Sequence, residues 1–174
     1  AEIEALPLPD WSVDVVVSRE NTDFVTVFRN GGDGTFGAGR DFFVESPVVD
    51  LMAVEMTGDN FIDLIATHVD PEPTISVLAG DGDTGLTPAS KWSLQDEPDG
   101  LAIADFDGDG DLDLVTTRSN GIEVYETTDS LFDKRRSYAM TTSARQPQIV
   151  DLDGDDLPEI LTLGAANDVL AIAP

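Results

Sequence analysis

The feature that most constrains the fold is an acidic nine-residue segment that occurs three times at nearly equal spacing. The most regular copy runs from Asp105 to Asp113 and has aspartate at every odd position, with glycine at the fourth and sixth positions. The other copies are residues 55–63 and 151–159. Their last residues are 50 and then 46 positions apart, and each copy is followed by an aliphatic pair. A repeat of this length predicts a structure built from similar stacked units.

Each repeat also contains short segments that alternate in polarity. A fourth copy near the start of the chain, Asp14-Val15-Val16, keeps the aliphatic pair but has no acidic loop before it. A second alternating segment follows each anchor and begins at Val25, Ile75, Ile122 and Val169. Short alternating segments rich in β-branched residues predict strands.

The two central repeats each predict four strands. The sequence places them near residues 48–55, 62–68, 74–79 and 88–95, and near residues 100–105, 112–118, 121–126 and 131–139. Four-stranded units at a period of about 40 to 50 residues are typical of β-propeller blades. We therefore expect an all-β protein, with about four four-stranded antiparallel blades in one repeat domain over residues 1–174. The approximate blades are residues 1–45, 46–96, 97–140 and 141–174.

The acidic segments have the ligands that calcium prefers. Calcium takes about six to eight oxygen ligands, and a tight loop can direct the side chains at positions 1, 3, 5 and 9 and the carbonyl at position 7 to one centre. Gly110 at position 6 allows the positive φ that such a loop requires. Without a cation, the five aspartates between Asp105 and Asp113 would repel one another.

The residues after the central loop exclude an EF-hand. An EF-hand closes with a glutamate at position 12 and continues into a helix. Here position 12 is Thr116, within the short β-branched segment Leu114-Val115-Thr116-Thr117, which predicts a strand. The predicted calcium loops therefore lie between strands.

The candidate calcium ligands follow from the alignment of the three loops. Residues 55–63 depart from the pattern because Glu55 and Thr57 replace aspartate at positions 1 and 3, and Asp156 replaces glycine at position 6 of the last loop. The candidates are Asp105, Asp107, Asp109, Asp111 and Asp113; Asp151, Asp153, Asp155, Leu157 and Glu159; and Glu55, Asp59, Phe61 and Asp63.

These residues resemble the FG-GAP repeats of integrin α-subunits and their bacterial relatives, whose blades carry an Asp-x-Asp-x-Asp-Gly-x-x-Asp calcium loop. Asp105 to Asp113 matches that loop at every ligand position, and Asn30 to Gly37 resembles the turn before the outer strand. The Gly-Ala-Pro signature itself is absent. The resemblance covers nearly the whole chain and implies an extracellular calcium-binding propeller.

The predicted strands are one short of four full blades. Residues 2–8 read as either the inner strand of the first blade or the outer strand of the fourth. Integrin-like propellers also have more blades than this chain supplies. We therefore expect the chain to be part of a larger propeller or to be completed by a second copy, with a compact four-bladed monomer as the alternative.

The charge of the chain restricts its partners. The net charge is −26, and the three loops carry 13 of the 35 acidic residues. The acidic residues outside the loops predict a solvated negative surface, which argues against nucleic acid or an anionic membrane as a partner. No apolar run is long enough to span a bilayer. Calcium loops of modest affinity favour a location outside the cell or at its surface.

Three functions are compatible with this pattern. The leading interpretation is a non-enzymatic module that presents loops to a protein or glycan ligand for binding or adhesion. The alternatives are a carboxylate-based glycosidase or lyase and a purely structural assembly unit. No catalytic constellation is recognised, since the chain lacks cysteine, has no Gly-x-Ser-x-Gly motif and contains one histidine, His68. We expect His68 to be an exposed residue at a strand end.

Overall fold

The computed structural model describes residues 3–7, 13–83, 85–128, 131–140, 143–164 and 169–172. These residues form strands and no helix, so the prediction of an all-β protein is confirmed. None of the described residues belongs to a helix that could cross a membrane. The strands are β1 (Ile3–Pro7), β2 (Val13–Ser18), β3 (Phe24–Phe28), β4 (Arg40–Phe43), β5 (Val48–Val54), β6 (Asp63–His68), β7 (Thr74–Gly80), β8 (Leu86–Ser93), β9 (Gly100–Ala104), β10 (Asp113–Arg118), β11 (Gly121–Thr128), β12 (Leu131–Ala139), β13 (Ala144–Val150), β14 (Glu159–Gly164) and β15 (Val169–Ile172).

The strands form four antiparallel sheets, and each sheet consists of strands that are consecutive in the chain. The orders are β1-β2-β3-β4, β5-β6-β7-β8 and β9-β10-β11-β12, and the described residues of the last sheet give β13-β14-β15. β1 pairs with β2, with Ile3 opposite Val17 and Pro7 opposite Val13. The strand near the start of the chain is therefore the first strand of the first sheet, which decides between the two positions that the sequence left open.

The three repeats that contain an acidic loop have the same strand register. Leu64, Leu114 and Ile160 each follow the last residue of an acidic loop, and all three are completely buried. Each pairs with the first and third strands of its own sheet at the same register; Leu114, for example, lies between Ile103 and Tyr125. The first residue of each aliphatic pair therefore occupies an equivalent buried position in the three repeats.

The chain divides into two compact units, residues 1–95 and 96–174. In the first unit, the sheets β1–β4 and β5–β8 share a core that includes Val16, Val25, Leu64 and Leu78. In the second unit, β9–β12 and β13–β15 share a core formed by Ala102, Phe106, Val115, Ile122, Val124, Ala144 and Ile160. Within each unit, a repeat therefore buries its apolar side chains against the neighbouring repeat.

The expectation that His68 is exposed is wrong, because its side chain is completely buried. Its Nδ1 lies 3.2 Å from the carbonyl oxygen of Pro47, which can only accept, so Nδ1 carries the proton. In the neutral ring, Nε2 then accepts a hydrogen bond of 3.0 Å from the hydroxyl of Ser76. Burial lowers the pKa of His68 below 6.5; nearby Lys91 acts in the same direction, whereas Glu45 and hydrogen bonds to Pro47 and Ser46 act against it.

This burial predicts a loss of stability in mild acid. The unfolded chain binds a proton at His68 near its ordinary pKa, whereas the folded chain binds it only at lower pH. The contribution of His68 is therefore complete above the ordinary pKa and is lost as the pH falls towards the lowered value. Urea unfolding at about pH 7.5 and 5.5 should show a steeper loss for the wild type than for His68→Gln, because the variant cannot take up this proton. Equal losses would contradict the assignment.

Candidate metal centres

The three acidic loops share a left-handed backbone at the same two positions. Positions 4 and 6 of each loop have positive φ, with angles of 77° and 68° in the first loop, 77° and 99° in the second and 81° and 68° in the third. Asparagine and aspartate adopt this conformation more readily than other residues with a side chain. Asn60 and Asp156 therefore follow the path that Gly110 follows, and the replacement of glycine at position 6 leaves the loop intact.

Each loop orients its own carboxylates through backbone amides. In the central loop, Asp105 accepts hydrogen bonds from the amides of Gly108 at 2.7 Å and Gly110 at 3.0 Å. Asp109 accepts one from the amide of Asp111 at 2.9 Å. The third loop repeats this pattern, with Asp151 accepting from Gly154 and Asp156, and Asp155 accepting from Leu157. The side chains at positions 1 and 5 are thus oriented by amides of their own loop.

The carboxylate at position 9 joins the loop to the sheet. Asp113 is buried, and its two oxygens accept from the amides of Phe106 in the loop and Thr127 in β11, each at 2.9 Å. Glu159 accepts from the amide of Leu152 at 2.7 Å. Asp14 is the corresponding residue of the first repeat, which has no acidic loop. It accepts a hydrogen bond of 2.8 Å from the amide of Asn30, as Asp113 does from the amide of Thr127. Position 9 therefore also has a structural role that does not depend on a metal, a role that the sequence analysis missed.

Positions 1, 3 and 9 converge in two of the loops. Asp105, Asp107 and Asp113 each place a carboxylate oxygen within 4.8 Å of the others, and Asp151, Asp153 and Glu159 do the same. Oxygens that share a calcium ion at about 2.3 to 2.6 Å cannot lie more than about 5 Å apart, so both groups have the required spacing. The two acidic clusters could therefore each hold a metal ion. Asp109, Asp111, Asp155 and Leu157 lie on the same loops but outside these two groups.

The central cluster is electrostatically strained. Burial raises the pKa of Asp113 above its ordinary value, and the negative charges of Asp107 and Asp109 raise it further. The hydrogen bonds from Thr127 and Phe106 partly oppose this effect. A bound cation would favour the ionised carboxylates and relieve their repulsion. The cluster therefore has the charge as well as the spacing of a cation site.

The loop of residues 55–63 lacks such a group among the described residues. Asp63 is buried and accepts from the amides of Met56 and Thr57, each at 2.8 Å, and from the amide of Gly80 at 3.0 Å. At position 3, Thr57 provides a hydroxyl that lies 3.4 Å from Asp63 in place of a carboxylate. The candidates Glu55, Asp59 and Phe61 remain predictions; the amide of Phe61 donates to Asp59 at 2.8 Å.

Restoring aspartate at position 3 should create a third centre. The loop already has the backbone path of the other two, so Thr57→Asp supplies the missing carboxylate without a new turn. We expect isothermal titration with calcium chloride to show one more binding site per chain in this variant than in the wild type. Thr57→Val is the matched control and should leave the number of sites unchanged. An unchanged number in Thr57→Asp would show that position 3 is not what limits this loop.

Comparison with known proteins gives one family. The profile of the FG-GAP-like repeat matches residues 56–116 and 105–162, which together cover more than half of the chain. The second match contains both acidic clusters in full. A search of curated proteins gave no match.

Proposed function

Because the chain belongs to the FG-GAP-like repeat family, we propose that it is a calcium-binding β-propeller module that presents its loops to a protein or glycan ligand outside the cell. The observation that carries this proposal is the pair of matched carboxylate groups, Asp105, Asp107 and Asp113 and Asp151, Asp153 and Glu159. FG-GAP repeats fit a binding or adhesion module, and they typically occur in extracellular proteins.

The donor set favours calcium over other common metals. Both groups consist of carboxylates alone, whereas structural zinc sites use cysteine and histidine. The chain has no cysteine, and His68 is bonded to Pro47 and Ser76. Magnesium keeps most of its water and binds to one or two carboxylates, while calcium accepts many oxygens in flexible geometry. Asp109 and Asp155 at position 5, and the carbonyls of Asp111 and Leu157 at position 7, would complete the two coordination shells.

The four sheets support the proposed propeller architecture. Three are four-stranded antiparallel meanders, and each pair of sheets within a compact unit shares a core, as successive blades of a propeller do. We propose that each sheet is a blade.

Calcium would act in this module as a structural ion. When bound, it neutralises the carboxylates of a loop and fixes the loop relative to the sheet through position 9. Asp113 connects the central loop to Thr127 in β11. An ion that orders the loop would therefore also order this end of the sheet. Carboxylates that are held ionised by calcium are unsuited to act as general acids, which favours a binding module over a glycosidase or lyase.

A ligand screen with and without calcium tests the proposed function. We expect the purified chain to bind a glycan or extracellular protein on an array in the presence of about millimolar calcium. We expect binding to be lost in chelator and in the double variant Asp107→Ala, Asp153→Ala, which lacks one ligand oxygen in each loop. Glu97→Gln removes an exposed carboxylate outside the loops and is the matched control. Binding that is identical with and without calcium would contradict the proposal. A folded, calcium-loaded chain that binds nothing but itself would favour the structural assembly unit.

A further inference from the structure

The two candidate metal centres lie in loops that touch each other. Leu157, at position 7 of the last loop, packs against Gly108, at position 4 of the central loop. A Cβ placed on Gly108 would lie only 3.0 Å from Cδ2 of Leu157. Because Gly108 has no side chain, Leu157 approaches the backbone of the neighbouring loop directly.

Both residues in this contact are bonded to a candidate ligand of their own loop. The amide of Gly108 donates to Asp105 at 2.7 Å, and the amide of Leu157 donates to Asp155 at 2.9 Å. The carbonyl of Leu157 is itself a candidate ligand. The contact thus joins the ligand-bearing backbone of one centre to that of the other.

A second connection runs through the core. Phe106, at position 2 of the central loop, is buried in the same apolar cluster as Ile160. The amide of Phe106 donates to Asp113 at 2.9 Å, and Ile160 directly follows Glu159. One apolar core therefore lies next to position 9 of both loops.

We infer that the two calcium centres are coupled through Leu157, so that filling either centre raises the affinity of the other. This inference rests on the proposed calcium binding. The first ion orders its own loop and, through the contact with Gly108, part of the second loop. The second ion then has less disorder to remove when it binds. Leu157 is a positioning residue for the central loop as well as a candidate ligand in its own.

Electrostatics alone would give coupling of the opposite sign. An ion in one loop cancels negative charge that would attract an ion to the other loop. That effect acts through solvent and weakens as salt is added. Coupling through packing has no such dependence, so the sign and the salt dependence together identify the cause.

Isothermal titration of the full chain with calcium chloride tests the inference. Asp107→Ala removes a ligand oxygen from the central loop and Asp153→Ala removes one from the last loop, so each variant reports the affinity of the remaining centre. Coupling is reciprocal, so each substitution should weaken the other centre by the same factor, which we expect to be about 5-fold or more. The factor should not fall when salt is raised from about 0.15 M to about 0.5 M, because salt screens only the opposing electrostatic effect. Centres that keep their wild-type affinity in both variants would overturn the inference.

Substitution of the contact residue provides the second measurement. Leu157→Ala removes the side chain that contacts Gly108 and should abolish the coupling. Leu152→Ala is the matched control, since this leucine is in the same loop and its side chain is 54% exposed. Coupling that persists in Leu157→Ala would overturn the role of this residue. If that variant does not fold, the reciprocal comparison of Asp107→Ala and Asp153→Ala decides alone. A wild type that takes up no calcium refutes the proposed function, whereas two independent centres refute only the coupling.

Discussion

Calcium at 100 times its dissociation constant is expected to add about 2.7 kcal/mol to the free energy of unfolding for each centre that binds only the folded chain. The reason is that positions 1, 3 and 9 converge only in the folded loop, whereas the unfolded chain does not hold Asp105, Asp107 and Asp113 together. Thermal unfolding in calcium and in chelator measures the effect as a rise in melting temperature of several degrees.

The calcium effect should depend on the loops and not on negative charge in general. The double variant Asp107→Ala, Asp109→Ala should lose the part of the melting-temperature rise that comes from the central loop and keep the part that comes from the last loop. Glu97→Gln, an exposed carboxylate outside the loops, should keep the full rise. A melting temperature that is the same in chelator and in millimolar calcium would contradict the stabilising role of the ion.

Leu114→Ala is expected to reduce the free energy of unfolding by about 2 to 5 kcal/mol. Leu114 is completely buried in the second strand of its sheet, between Ile103 and Tyr125, so truncation removes apolar contacts and leaves a cavity. Urea unfolding in chelator measures this cost without a contribution from calcium.

Leu163→Ala is the matched control for that substitution. Leu163 is also on the second strand of its sheet, but its side chain is 45% exposed. Its truncation should cost about 1 kcal/mol or less, because part of the side chain already contacts water. Equal costs at the two positions would show that burial of the aliphatic pair does not carry the stability of the repeats.

The sequence was sufficient to predict the strands because their alternation and their β-branched residues are local signals. The predicted strand near residues 121–126 is β11, and the one near residues 131–139 is β12. Pairing is not local, and therefore the partner of residues 2–8 stayed open until the register with β2 was known. A prediction of exposure from alternating polarity also assumes that one face of the strand contacts solvent. β6 is buried along its whole length, so the polarity of His68 gave the wrong exposure.

The candidate metal centres were also partly predictable, because the spacing of carboxylates along one loop is a local signal. Positions along a nine-residue loop fix which carboxylates are near one another, and the structure does bring Asp105, Asp107 and Asp113 together. The spacing does not show how each side chain is oriented by backbone amides. It also does not show the structural role of position 9, which became visible at Asp14, or the contact of Leu157 with Gly108. These depend on the folded path of two loops.

Anomalous X-ray scattering from crystals grown in calcium tests the central claim most directly. We predict one calcium peak among Asp105, Asp107 and Asp113 and a second among Asp151, Asp153 and Glu159, each surrounded by about six to eight oxygens at about 2.3 to 2.6 Å. Calcium-loaded crystals with no anomalous peak at either cluster would contradict the account.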